Sequence, residues 1–138
     1  MMNSFGFLRV AAVVPSVRVA DPAYNAERIR ALMNRAESEG VSVLVFPELS
    51  LTGYTCGDLF QQTTLQRGAL AALTQVAAGS ASSFSGLTVV GLPLLVDDAL
   101  FNCAAVLHLG TLLGIVPKSY LPNYTEFYEQ RWFAPAAL

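Results

Sequence analysis

The sequence is short of charge. Asp, Glu, Lys and Arg make up 13% of its 138 residues, about half the usual share. The formal net charge is −2 and no basic run occurs. That argues against a nucleic-acid partner, which needs clustered cations to neutralise phosphates. Histidine occurs once and cysteine twice. No Cys/His spacing suggests a zinc site, and two cysteines make no disulfide framework. There is no GxGxxG or Walker-type loop to cradle a phosphate. No apolar run reaches the ~18 residues of a membrane helix, so no membrane partner is expected. The Met1–Phe5 start lacks a basic stretch and a small-residue cleavage site. The expectation is therefore no export signal and a reducing, cytoplasmic setting. No fixed-period repeat is present.

Apolar residues, by contrast, reach 54%, and the mean hydropathy is +0.48. Such a chain has ample surface to bury, which excludes disorder. It is greasier than a free-standing domain of this size needs. The run Val41–Phe46 is apolar at nearly every position, a pattern that suits a strand covered on both faces. Of eight basic residues seven are arginine, leaving Lys118 as the single lysine.

The order of elements reads as α/β. Phe7–Val14 is a first strand closed by Pro15. Asp21-Pro22 starts a helix, with Asp as the cap acceptor and Pro at the first position. Ala26, Ile29, Leu32, Met33 and Ala36 then give one apolar stripe, and Gly40 stops it. Val41–Phe46 is the second strand, and this β–α–β spacing implies a parallel pair with a right-handed crossover. A loop from Pro47 to Asp58 leads to a second helix over Leu59–Ala78. Gly79–Gly86 reads as a Ser/Gly linker. Three strands follow, Leu87–Leu95, Phe101–Leu109 and Leu112–Pro117, with turns at Asp97-Asp98 and Gly110-Thr111. The last two form a hairpin. The pattern is βαβα and then a β meander on a mixed sheet, with no domain boundary inside it. An aromatic tail ends at Ala-Pro-Ala-Ala-Leu without a closing element.

Two polar residues stand at the ends of apolar strands, each after a proline. Glu48 follows Val-Leu-Val-Phe-Pro, and Lys118 follows Leu-Gly-Ile-Val-Pro. Strand carboxyl ends face the ligand crevice in open α/β sheets. A carboxylate and an ammonium there supply a base and a cation for an anionic transition state. The bland alternative is that each marks where a strand meets solvent, and the residues alone leave both readings open. Glu126 and Glu129 are spaced i, i+3 among aromatics, as a solvated helical face or as a substrate wall with a further carboxylate. Cys103 reads as a small buried hydrophobe inside a strand. Cys56 lies in a Gly-containing loop near Glu48 and is less easily set aside. His108 has no evident partner and reads as structural.

Two long segments carry a resemblance. Phe46-Pro47-Glu48-Leu49-Ser50-Leu51-Thr52-Gly53-Tyr54 resembles the glutamate motif of the nitrilase (carbon–nitrogen hydrolase) superfamily. Gly114-Ile115-Val116-Pro117-Lys118-Ser119-Tyr120-Leu121-Pro122-Asn123-Tyr124 resembles its lysine motif. A narrower likeness, to the amidase domain of glutamine-dependent NAD synthetases, lies in three places: Thr55–Phe60, Phe101–Val106 and Leu121–Glu129. The resemblance spans about Phe7 to Trp132.

That resemblance implies part of an α-β-β-α sandwich with a glutamate–lysine–cysteine triad. Carried over by position, Glu48 is the general base and Lys118 the oxyanion stabiliser. Glu126 matches the additional glutamate, with Glu129 a weaker candidate. Tyr54 and Tyr124 match positions lining the glutamine pocket. The family's nucleophilic cysteine lies after the lysine motif, and neither Cys56 nor Cys103 matches it. Residues 1–138 are thus expected to be the N-terminal portion of an amidase domain, inactive alone. The rest of that domain is expected beyond Leu138, with an ATP- and Mg-using synthetase domain after it. The implied substrate is glutamine, this portion itself carries no cofactor or metal, and the complete enzyme is expected to be a homo-oligomer. Two alternatives stay open: another amidase of the superfamily, and a non-catalytic interaction half-domain.

Overall fold

The computed structural model describes residues 6–136. Met1–Phe5, read above for an export signal, and the last two residues of the Ala-Pro-Ala-Ala-Leu end lie outside that range. The elements are β1 (Val10–Ala12), α1 (Pro22–Ser38), β2 (Val43–Val45), α2 (Thr63–Ser83), β3 (Leu87–Val96), β4 (Ala99–His108) and β5 (Thr111–Pro117). Two short 3-10 turns, Gly57–Gln61 and Glu129–Arg131, flank the site described below. The sheet order is β1-β2-β3-β4-β5. The first three strands are mutually parallel and the last three antiparallel. This is the mixed α/β sheet expected from the sequence.

The start of α1 follows its signals. The Asp21 carboxylate accepts the Tyr24 N–H at 3.1 Å, and Pro22 takes the first turn. Ala26, Ile29, Met33 and Ala36 form its buried stripe. At the other end Gly40 has φ +67°, a left-handed stop that glycine adopts without a Cβ penalty.

Three local expectations are corrected. The Gly79–Gly86 stretch is not a linker, because α2 continues to Ser83. Its Gly79 and Ser80 are buried, and Ser80 Oγ donates to the Ala77 carbonyl at 2.7 Å and accepts the Gly110 N–H at 2.8 Å. Packing and these bonds override the weak helix propensity of Gly and Ser. The β4–β5 turn is Leu109-Gly110, one residue earlier than expected, with both residues at positive φ. That is the twist a two-residue hairpin loop needs. Val41–Phe46, thirdly, is not covered on both faces among the described residues: Leu44 is fully buried, but Val45 is 40% exposed.

Both helices pack on one face of the sheet. Leu44, Val90, Leu92, Ala105 and Leu107 share a core with Ile29, Met33, Leu73 and Val76. Alternation sends Val45, Val89, Gly91, Asn102, Ala104 and Val116 to the opposite face, where Val116 is exposed. A second, smaller cluster of Leu49, Cys56, Phe60, Leu65, Leu100 and Phe133 lies beyond the strand ends. It anchors the loop after β2 to the C-terminal segment.

Candidate active site

Glu48 sits on the tight loop after β2. The Phe46 N–H donates to Val89 O at 2.9 Å, and Leu51 N–H donates to Gly91 O at 3.0 Å. Gly91 N–H in turn donates to Ser50 Oγ at 3.1 Å. The loop therefore lies directly on β3. A Cβ on Gly91 would stand 2.3 Å from Leu49 N and 2.8 Å from Pro47 O, so only glycine allows this approach. Leu49 is held at φ +52°, and its amide oxygen accepts from Thr52 and Gly53. The buried Asn25 of α1 braces the far side, donating to Arg18 O at 2.8 Å and Leu51 O at 3.1 Å.

Lys118 is the first residue after β5. Its N–H donates to Asn102 O at 2.8 Å, which extends the β4–β5 ladder by one step. Its ammonium reaches Glu48 Oε1 at 2.6 Å, Glu129 Oε2 at 3.0 Å and Glu129 Oε1 at 3.1 Å. Glu129 is 2% exposed and opens the Glu129–Arg131 turn. That turn is tied down from outside. Arg131 forms a two-pronged ion pair with Asp58 at 2.8 and 2.9 Å, and Trp132 Nε1 donates to Asp58 Oδ1 at 2.9 Å. Phe133 and Trp132 pack on Phe60. Tyr54 O–H donates to Glu129 Oε1 at 2.7 Å, so the buried carboxylate is fully engaged, as burial of a charge requires.

The electrostatics follow from these contacts. Partial burial acts to lower the Lys118 pKa, but the hydrogen bonds and charges of Glu48 and Glu129 outweigh it and raise it above the ordinary lysine value. Lys118 is thus a fixed cation at neutral pH. Burial, the bond to Glu129 and the negative charge of both glutamates push the Tyr54 phenol well above its usual range. It therefore stays a hydrogen-bond donor.

The structure brings Glu48, Lys118 and Tyr54 into one cluster with Glu129, and it leaves Glu126, expected there, outside it. Glu126 is exposed, bonded to Thr125 and to its own backbone N–H, which lower its pKa. Glu129 holds the place at Lys118 instead, because the 3-10 turn aims residue 129 inward. Tyr124 is also apart from the cluster: it is 67% exposed and packs edge-on against Phe127. Neither cysteine bonds Glu48 or Lys118 among the described residues. Burial pushes the Cys103 thiol up to about 11 and raises Cys56 as well. Cys56 Sγ donates to the Thr52 and Gly53 carbonyls. Both are poor nucleophiles at neutral pH.

Asn102 lies in the Phe101–Val106 segment that carries the resemblance and had no role assigned there. Its Nδ2 donates to Glu48 Oε1. The available signal was a lone amide in an apolar strand, paired with the strand that ends at Lys118. Gly91 left no signal beyond being a glycine within a strand.

A hollow of about 360 Å³ opens over the uncovered sheet face. Its walls include Val45, Val89, Gly91, Ala104 and Val116, with Glu48, Asn102 and Lys118 as its polar groups. A mostly apolar hollow with a few convergent polar groups suits a small ligand. A larger groove of about 520 Å³ between the start of α1 and α2 has Asp21 as its one ionisable group, and Asp21 is already spent as the helix cap.

The chain, an α/β sheet whose Lys118 bridges Glu48 and Glu129, belongs to the carbon–nitrogen hydrolase family, whose model matches residues 9–135. Among curated relatives, the glutamine-dependent NAD(+) synthetase of Mycobacterium leprae is 40% identical over 135 residues, covering 96% of this chain and 20% of the relative. The chain thus spans about a fifth of the length of the relatives it matches. A crystal structure of a glutamine-dependent NAD(+) synthetase from Cytophaga hutchinsonii superposes with a TM-score of 0.86 at 27% identity, over 93% of this chain and 22% of that one. An amidase of the nitrilase superfamily from Nesterenkonia AN1, 22% identical, shares the fold with a TM-score of 0.81 over 95% of this chain and 49% of its own.

Proposed function

We propose that Glu48 and Lys118 perform the acid–base and oxyanion work of glutamine amide hydrolysis, within the N-terminal part of a glutamine-dependent NAD synthetase. The observation that carries this reading is the Lys118 ammonium held between Glu48 and Glu129 beside an open hollow. Glu129 acts through Lys118, and Tyr54 acts through Glu129, so both are positioning residues. The sequence relatives support the substrate and the product.

In this reading the nucleophile is a cysteine thiol from outside residues 1–138, which closes the hollow from the uncovered side. The burial of Cys56 and Cys103 supports that assignment. Glu48 takes the thiol proton, and the sulfur adds to the amide carbon of glutamine. The carbonyl electron pair moves onto oxygen, where Lys118 stabilises it. Glu48 returns the proton to nitrogen, the C–N bond breaks and ammonia leaves. Water then cleaves the thioester to glutamate. The ammonia is used in a separate domain, where ATP and magnesium drive amidation of an adenylated nicotinic acid dinucleotide. In this reading the complete enzyme is a homo-oligomer.

The test uses the complete enzyme with two nitrogen sources. Lys118→Ala abolishes synthesis from glutamine while synthesis from free ammonia continues. Equal loss with both sources would assign Lys118 to folding. The 138-residue chain, incubated with glutamine, releases no ammonia. Turnover that vanishes with Cys56→Ala would overturn the external thiol.

A further inference from the structure

We propose that Asn102 is a positioning residue for the base: its side-chain amide holds Oε1 of Glu48 so that Oε2 is the oxygen that accepts the proton. The inference rests on the amide-hydrolysis reading above and names a residue that reading does not use.

Asn102 is 4% exposed and lies on β4, between β3 and β5. Its neighbours Phe101 and Cys103 alternate to the helix-covered side, where both pack in or against the main core. Its own side chain points to the face that carries the hollow. The residue ties the two functional groups together. Its backbone carbonyl accepts the Lys118 N–H at 2.8 Å, and its Nδ2 donates to Glu48 Oε1. The amide orientation follows from charge, since its oxygen would otherwise face a carboxylate oxygen.

Oε1 therefore receives two donors, Asn102 Nδ2 and Lys118 Nζ. No hydrogen bond reaches Oε2 among the described residues. A carboxylate so held accepts a proton on the oxygen whose lone pairs are unused. The charged and titratable groups around it are Lys118 at the end of β5, Glu129 from the 3-10 turn and Tyr54 from the loop. Lys118 and Tyr54 respond to the charge on Glu48. The Asn102 amide does not. It carries no charge and does not titrate, and it can donate to Oε1 whether Oε2 is ionised or protonated. A general base must pass through both states in each cycle, and Asn102 holds its geometry in both.

The experiment compares Asn102→Ala and the isosteric Asn102→Asp in the complete enzyme, with Glu48→Gln as the control. Synthesis from free ammonia and an unchanged melting temperature show that each variant is folded. With Asn102→Ala, kcat for glutamine falls about 10- to 100-fold, the size of one lost charge-assisted hydrogen bond. KM changes less than about threefold, since the lost bond is not made to substrate. The acidic limb of the kcat–pH profile moves up by about one pH unit, because the ionised base has lost a donor. Asn102→Asp moves it further, by adding a like charge. A fall in kcat with an unmoved acidic limb, or a rise in KM alone, overturns the inference. So does a wild-type kcat in Asn102→Ala while Glu48→Gln is inactive, and that outcome leaves the amide-hydrolysis reading standing. Normal glutamine turnover in Glu48→Gln removes the parent reading instead.

Discussion

Lys118 Nζ lies 2.6 Å from Glu48 Oε1 and 3.0 Å from Glu129 Oε2, bridging one carboxylate that is 40% exposed and one that is 2% exposed. In the proposed reading the two acids have separate tasks. The open one faces the hollow and can exchange a proton. The buried one fixes the ammonium in place.

Glu129 and Glu126 are distinguished by this geometry. Glu129→Ala removes a buried partner of Lys118 and Tyr54, and a loss of about 3 kcal/mol is expected. Glutamine-driven activity falls with it. Glu126→Ala leaves the melting temperature unchanged. Thermal unfolding of both variants decides it, and an equal shift in the two would contradict the assignment.

Gly91→Ala is expected to damage the site without touching a charged group. The new methyl would meet the backbone of Pro47, Glu48 and Leu49, so the loop must lift. Overpacking of this kind costs about 1–3 kcal/mol. Glutamine turnover falls more than stability alone explains, because Glu48 moves. Retained turnover with a normal melting temperature would show that the loop has slack.

Alkaline pH should weaken the fold. Cys103, Cys56, Tyr54 and Lys118 all have raised pKa values in the folded chain. The unfolded chain releases these protons first, from about pH 8.5 for cysteine and about pH 10 for tyrosine and lysine. Above those values the folded state holds more protons, so stability falls as pH rises. Denaturant midpoints measured from pH 7 to 11 should be flat to about 8.5 and then decline. A midpoint that climbs over pH 9–11 would contradict the burial of these groups.

Both thiols should resist alkylation. At pH 7.5 the native chain is expected to take up iodoacetamide at neither Cys56 nor Cys103, and the unfolded chain at both. Mass spectrometry reads the result. Rapid labelling of native Cys56 would reopen it as a nucleophile.

Much of this was legible in the residues. The caps and stripe of α1 and the apolar runs of β3 and β4 follow local rules, and the structure keeps them. Glu48 and Lys118 stood out because each ends an apolar strand. Three things were not legible. The Gly79–Ser83 stretch reads as a breaker until Ser80 finds Gly110 across the fold. The choice between Glu126 and Glu129 depends on a 3-10 turn pinned by Asp58, seventy-three positions from Arg131 in the chain. Asn102 and Gly91 matter only because a distant loop folds onto them. In each case a long-range contact sets the outcome, and local pattern alone does not decide it.

The most direct measurement is the rate of NAD formation by Glu48→Gln in the complete enzyme, with glutamine and with free ammonia. The glutamine-driven rate should fall by at least about 100-fold, the usual contribution of a positioned base, while the ammonia-driven rate is kept. Glutamine-driven synthesis at the wild-type rate would contradict the role given to Glu48 and to the lysine beside it.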